Sequence, residues 1–149
     1  MTNIFEALRA DHDIQRSLVK DLVATQGDSQ ERKELFEKLK QQLEAHAIYE
    51  ERFFYVPLIK DELTQDKARH SIAEHKELDD LVEKLESYDF SASQWLQTAE
   101  NLHHKLVHHL DEEEHEVFQL GGKVLTDQQK EHLATEYLQE MKKSLSQNQ

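Results

Sequence analysis

One pattern of histidine and glutamate occurs twice in this chain. The first copy is His46-Ala-Ile-Tyr-Glu50, and the second, 63 residues later, is His109-Leu-Asp-Glu-Glu113. Residues four positions apart lie on one face of an α-helix, so each copy presents an imidazole and a carboxylate side by side. A further histidine precedes each copy by 34 residues, at His12 and at His75. The chain therefore contains a duplicated set of three polar residues.

Apolar residues surround these positions with a period of three or four residues, which is typical of amphipathic helices. In the second helix, Phe36, Leu39, Leu43 and Phe53 are predicted to be buried on the same face as His46 and Glu50. Several apolar residues are related by the same 63-residue offset: Leu18 and Leu81, Val19 and Val82, Leu22 and Leu85, Leu39 and Leu102, and Leu43 and Leu106. Glycine occurs three times and proline once, so few residues interrupt a helix. We therefore predict an all-α fold, an up-down-up-down antiparallel four-helix bundle with an extra C-terminal helix.

Capping and helix-breaking residues predict where these five helices begin and end. The first predicted helix spans about 4–24, and the second spans about 30–55, with Pro57 near its end. The third begins at Thr64, and the fourth runs from Ser91 or Ser93 to Gly121-Gly122. The fifth spans 126–145 and opens with a capping box at Thr126–Gln129. The bundle is predicted to cover 4–120 of a single domain, 1–149. The fifth helix is expected to lie against its outside, ahead of a tail from Ser146, and to bury one face that carries Leu133, Tyr137, Leu138, Met141 and Leu145.

Six polar residues lie on the helix faces that are predicted to be buried. These are His12, His46, Glu50, His75, His109 and Glu113. An unpaired buried carboxylate costs several kcal/mol, so these residues need a partner. The midpoint between His12 and His46 is residue 29, and the midpoint between His75 and His109 is residue 92. Both midpoints fall in predicted turns, so the six residues should meet at one depth of the bundle. Metal ions bound between the helices would give all six side chains a partner.

The donor types narrow the choice of metal. Imidazoles and carboxylates without sulfur suit iron, manganese or zinc. If both glutamates bridge two ions, each ion receives two nitrogens and two oxygens and keeps an open position. Two ions that share carboxylates inside a helical bundle favour redox-active iron.

Other histidines compete with this assignment. His108 and Glu112 have the same four-residue spacing, but the 63-residue offset and the apolar period both favour His109 and Glu113. His70 should face about 140° away from the buried face, which makes it a poor ligand. The remaining histidines are expected at the surface or rim: His103, His104, His115 and His132.

Three glutamates near the proposed ligands also have predicted roles. Glu51 and Glu114 directly follow the proposed carboxylate ligands and could replace them if the helix is locally rotated. Glu116 lies on the predicted buried face, where it is expected to accept a hydrogen bond beside the ligands.

The order of these motifs resembles the hemerythrin-like HHE cation-binding family over about 4–120. The matching elements are Asp11-His12, His46-x-x-x-Glu50-Glu51 followed by Phe54-Tyr55, Glu74-His75, and His109-x-x-x-Glu113-Glu114 followed by Val117-Phe118. The resemblance implies two iron ions with a bridging oxo or hydroxo group inside a four-helix bundle. Its ligands would be the six residues proposed above.

Two positions differ from the oxygen-carrying hemerythrins. Those proteins have a histidine pair four residues apart on the third helix, whereas Ser71 and Asp79 flank His75 here. Their last carboxylate lies five residues after its histidine, where this chain has Glu114. The iron-centre repair branch usually carries a cysteine-bearing N-terminal segment, and this sequence has no cysteine. The first two differences weaken the case for oxygen carriage, and the missing cysteine weakens the case for iron-centre repair.

Composition limits the partners. A net charge of −13 argues against nucleic acid and anionic membranes, and no apolar run approaches the ~20 residues of a membrane span. With no cysteine and no basic, apolar leader in the sequence given, a cytoplasmic location is expected.

These features predict a non-haem di-iron protein that binds or senses a small ligand such as dioxygen, nitric oxide or peroxide, or iron itself. The alternative is a di-iron enzyme that decomposes hydrogen peroxide or oxidises ferrous iron. A third interpretation is that the metals only hold the bundle together.

Overall fold

A computed structural model describes residues 2–147, which form five helices joined by short turns. The helices are α1 (Ile4–Val23), α2 (Gln30–Glu50, continued by a π-helical turn at Glu51–Tyr55 and by Val56–Ile59), α3 (Gln65–Ser87), α4 (Ser93–Glu112, continued by a π-helical turn at Glu113–Val117 and by Phe118–Val124) and α5 (Asp127–Gln147). Helices α1 to α4 form the predicted antiparallel bundle, and α5 packs on α1 and α2. None of the described helices is long and apolar enough to cross a membrane.

The helix starts follow local capping chemistry. The Ser29 side chain accepts a hydrogen bond from the backbone at the start of α2, and the predicted capping box of Thr126 and Gln129 is present with both of its hydrogen bonds. Thr64 precedes α3 as predicted, but its hydroxyl donates to the Leu58 carbonyl oxygen at 2.6 Å and does not cap the helix.

The apolar core is divided into two clusters along the bundle axis. One contains Phe5, Leu8, Phe54, Val117 and Tyr137, and the other contains Leu22, Phe36, Leu39, Leu85 and Trp95, each with further members. On each of α1 to α4 the predicted site residues come between a stretch that belongs to one cluster and a stretch that belongs to the other. The site is therefore enclosed by apolar packing at both ends.

Two predicted helix ends are wrong. Helix α2 continues past Pro57 to Ile59, and α4 continues past the glycine pair to Val124. Pro57 lies in the first turn of the segment that follows the π-helical turn, where a missing N–H group costs little. In α4, Gly121 is buried against the Phe5 ring, 3.5 Å from the position that a Cβ atom would take. That glycine serves close packing and does not end the helix.

The π-helical turns also change which residues face the core. A π-turn adds one residue to the helical turn, so the buried face moves forward by one position. Phe53 is half-buried where burial was predicted, and Phe54 and Tyr55 are buried instead. Glu116 is exposed and pairs with Lys67 at 3.2 Å, so its predicted role beside the ligands is wrong.

Helix α5 buries a narrower face than predicted. Tyr137 and Met141 are buried together with Ala134, but Leu138 is exposed. The helix extends through the start of the predicted tail to Gln147, and the last two residues of that tail lie outside the described residues.

Candidate metal centre

The six predicted site residues are all buried, and the structure brings them together. None of them is more than 6 % exposed. They form two groups, in each of which every residue offers one donor atom that lies within 4.8 Å of the donor atoms of the others. The groups are His12, His46, Glu50 and Glu113, and Glu50, His75, His109 and Glu113. Both glutamates belong to both groups, as expected of carboxylates placed between two ions.

The two groups are nearly equivalent in geometry. The Nε2–Oε2 distance between the histidine and the glutamate of one helix is 3.4 Å in the His46–Glu50 pair and 3.4 Å in the His109–Glu113 pair. The imidazole centroids are 5.1 Å apart for His12 and His46, and 5.0 Å apart in the other group. The sequence repeat therefore corresponds to a pseudo-twofold arrangement of side chains.

The remaining two histidines reach across to the glutamate of the other half. His12 Nε2 lies 3.3 Å from Glu113 Oε1, and His75 Nε2 lies 3.1 Å from Glu50 Oε1. Donor atoms bound to one ion at about 2.0–2.2 Å are about 2.8–3.1 Å apart at adjacent octahedral positions and about 3.3–3.6 Å apart in tetrahedral geometry. The observed spacing fits that requirement.

Unpaired polar atoms face the centre of this cluster. The Nε2 atoms of all four histidines, both carboxylate oxygens of Glu50 and Oε1 of Glu113 are buried without a hydrogen-bond partner among the described residues. Such atoms are rare in folded proteins, because each one carries a desolvation penalty. A cation accepts lone pairs from imidazole and carboxylate alike, so the donor set fits metal ions.

The carboxylates influence protonation of the imidazoles. Burial by itself lowers the pKa of His46, His75 and His109, but the adjacent glutamates outweigh it and raise the pKa to about 9. Metal ions binding to these nitrogens would displace the protons.

Two glutamates hold the outer nitrogens of the imidazoles. Nδ1 of His12 donates to Glu114 at 2.7 Å, and Nδ1 of His75 donates to Glu51 at 3.3 Å. Burial raises the pKa of Glu114, but His12 and Arg16 lower it to about 2, so this acceptor is ionised. Glu51 and Glu114 thus face the outer side of the histidines, although sequence analysis offered them as replacement ligands. Their contacts turn each Nε2 lone pair inward.

The other two histidines have different outer partners in the two halves. Nδ1 of His109 donates directly to Glu74 at 2.8 Å. Asp11 is the repeat counterpart of Glu74, but it lies 3.7 Å from His46 Nδ1. The hydroxyl of Tyr137 stands between them, accepting from His46 and donating to Asp11. The C-terminal helix therefore makes the two halves of the site unequal.

A second tyrosine adds to this asymmetry. The buried Tyr55 hydroxyl donates to Glu113. Its repeat counterpart is Phe118, which stacks near His12 and offers no hydrogen bond to Glu50. Sequence analysis missed the roles of both tyrosines. The repeat could have indicated Tyr55, since a hydroxyl distinguishes it from Phe118, but no repeat covers α5.

A small cavity adjoins the site. It offers about 20 Å³ to the centre of a water-sized molecule, and holding one water requires about 10–15 Å³. Three site histidines line it with four leucines, Ala47 and the polar side chains of Gln15 and Asp79. A surface groove shares the lining residues Ala47, Asp79 and His75 with this cavity, so a small molecule that enters from the groove would pass these residues.

A helical bundle that encloses histidines and carboxylates from four helices defines a cation-binding helical domain. Residues 3–120 match the family described as the hemerythrin HHE cation binding domain, and the chain belongs to this family. This confirms the resemblance drawn from the motifs.

The fold has a close structural counterpart. A crystal structure of a hemerythrin HHE cation binding domain-containing protein, the Rv2633c homolog from Mycobacterium kansasii, superposes with a TM-score of 0.87. The match covers 97% of this chain and 88% of that chain at 24% sequence identity, and it shows the shared fold. Comparison with curated proteins gives no match.

Proposed function

We propose that the chain, acting as a single domain, holds two iron ions in the buried cluster and binds a small ligand there. The proposed ligands are those of the two groups, with His12 and His46 for one ion, His75 and His109 for the other, and Glu50 and Glu113 shared. The convergence of unpaired Nε2 and carboxylate atoms carries this proposal. Iron with a bridging oxo or hydroxo group would supply reversible electron transfer and open coordination positions.

The surrounding residues support a ligand of two to four atoms. The cavity has room for one water-sized molecule, and its wall is largely apolar, with Leu43, Leu78, Leu106 and Leu110. Dioxygen, nitric oxide and hydrogen peroxide, with two heavy atoms each, are closer to this size than an organic substrate is. Gln15 and Asp79 supply the polar contacts in this wall.

Anaerobic loading with ferrous iron tests the proposal. We expect about two iron ions per chain and a visible spectrum that changes when air, peroxide or nitric oxide is added. A loaded protein that ignores all three ligands would favour a purely structural role for the metals. Failure to retain iron would contradict the assignment of the centre itself.

An enzyme that decomposes hydrogen peroxide or oxidises ferrous iron is the second candidate. Asp79 and Gln15 favour it, because a carboxylate at the cavity can accept and return a proton and an amide can hydrogen-bond to the bound ligand. Steady oxygen evolution from peroxide, lost in His46→Ala and His109→Ala, would support the enzyme. A stable adduct without turnover would support a binding or sensing role.

Narrowing the cavity should slow ligand binding without removing metal. Ala47 lines both the cavity and the surface groove, so Ala47→Leu places a larger side chain on the route between them. We expect nitric oxide to associate about tenfold more slowly with the iron-loaded variant, which corresponds to about 1.4 kcal/mol in the barrier. Stopped-flow absorbance measures this rate. Ala73→Leu, at an exposed position of α3, is the control and should leave the rate unchanged.

Removing the Tyr137 hydroxyl should weaken one half of the centre. In Tyr137→Phe, the buried His46 Nδ1 loses its only hydrogen-bond partner among the described residues, and the imidazole is no longer held in place. Substituting such outer partners typically lowers metal affinity about 10–100-fold. Competition with a chelator should show one weakened ion and one unchanged ion. Equal weakening of both ions, or of neither, would contradict the role given to α5.

A further inference from the structure

A second group of histidines and glutamates lies on the outside of the bundle, between α3 and α4. His70 and Glu74 are four residues apart on α3, and His108 and Glu112 are four residues apart on α4. Three of them, His70, His108 and Glu112, were weighed against the buried set in the sequence, and the proposed centre uses none of the four side chains as ligands. His70, Glu74 and Glu112 offer donor atoms that lie within 4.8 Å of one another.

The distances within this group match those around a single ion. His70 Nε2 lies 3.5 Å from Glu74 Oε2 and 3.3 Å from Glu112 Oε1. A tetrahedral zinc ion with bonds of about 2.0–2.1 Å separates its ligand atoms by about 3.3–3.4 Å. His108 Nε2 lies 3.3 Å from the other carboxylate oxygen of Glu112, which holds that carboxylate toward the group.

Among residues 2–147, no lysine or arginine side chain pairs with the carboxylates of this group. The nearby ammonium groups pair elsewhere, Lys67 with Glu116 at 3.2 Å and Lys105 with Glu77 at 3.9 Å. Within residues 2–147, the ion pairs of Glu112 are with His70 and His108 alone, and its side chain is 22 % exposed. Two partly buried carboxylates that converge on one imidazole, in a chain of net charge −13, make a favourable environment for a divalent cation.

We propose that His70, Glu74 and Glu112 form a further, surface-accessible site for a divalent transition metal ion of the zinc class. Water would complete its coordination, because His70 is 57 % exposed. Glu74 joins this site to the buried cluster, since its other oxygen accepts the hydrogen bond from His109 Nδ1. A cation captured here therefore lies one carboxylate away from the buried centre. The site depends on its own contacts and not on the proposed iron centre.

A zinc soak tests directly where the proposed ion binds. Crystals of the full chain soaked in a zinc salt, with data collected on both sides of the zinc absorption edge, should show a zinc peak bounded by His70, Glu74 and Glu112. The edge difference separates zinc from iron, so the result does not depend on whether iron occupies the buried cluster. A map without zinc at this group would overturn the proposal.

Solution binding tests the assignment of ligands. Calorimetric titration of zinc into the iron-loaded protein should show one site, and His70→Ala or Glu112→Gln should weaken it by at least about tenfold. His132→Ala is the matched control, because His132 and Glu136 form the same four-residue pair on α5 without a carboxylate from another helix. An equal loss of affinity in the control, or none in the other two variants, would overturn the proposal.

Discussion

Glu50→Gln should reduce the iron content of the protein from about two ions per chain to fewer than one. Glu50 belongs to both groups of donor atoms, and its two oxygens are buried without hydrogen-bond partners. The amide nearly preserves the shape of the side chain, but it removes the negative charge and cannot bridge two cations through two equivalent oxygens. Both ions therefore lose a ligand at once. Metal analysis after gel filtration measures the effect.

The pattern across variants distinguishes a shared carboxylate from an ordinary ligand. His46 belongs to one group only, so His46→Ala should leave more iron bound than Glu50→Gln does. Glu44→Gln, at an exposed position of the same helix, should keep the full iron content. If Glu50→Gln retained two ions, or lost no more than His46→Ala, the glutamates would not be bridges.

Removing the metal should lower the melting temperature by about 8–16 °C. A ligand present at about 1,000 times its dissociation constant stabilises the folded state by about 4 kcal/mol. In a domain of this size, each kcal/mol shifts the melting temperature by about 2–4 °C. The loss of stability arises at the site itself, because the four imidazoles and two carboxylates leave seven unpaired polar atoms in the core when no metal is bound. Thermal unfolding followed by circular dichroism, with and without a chelator, measures the shift.

The Glu50→Gln variant is also the control for this experiment. It binds little metal, so a chelator should change its melting temperature by far less than that of the parent protein. If the chelator removed iron from the parent protein without lowering its melting temperature, the buried polar atoms would have to be satisfied by other means. That result would contradict the energetic basis of the site.

The predicted C-terminal ends of α2 and α4 were wrong for the same reason. Pro57 and the glycine pair are ordinary signals of a helix end, yet both helices continue past them. The π-helical turns that follow Glu50 and Glu112 shift the buried face by one residue. This moved Phe53 and Glu116 away from the predicted core positions. A π-turn depends on packing around the site, and the sequence pattern carries no separate signal for it.

Residue spacing alone was enough to predict the fold class, the family and the six residues that converge, although their role as metal ligands stays a prediction. Each of those signals is local: a four-residue spacing places two side chains on one helix face, and the repeat copies that spacing 63 residues later. The outer groups that hold the histidines and the size of the cavity became known from the folded chain. Tyr137 meets His46 across 91 residues of chain, and such contacts depend on how α5 packs against the bundle. Side-chain periodicity fixes which face of a helix is buried, but it does not fix what that face meets.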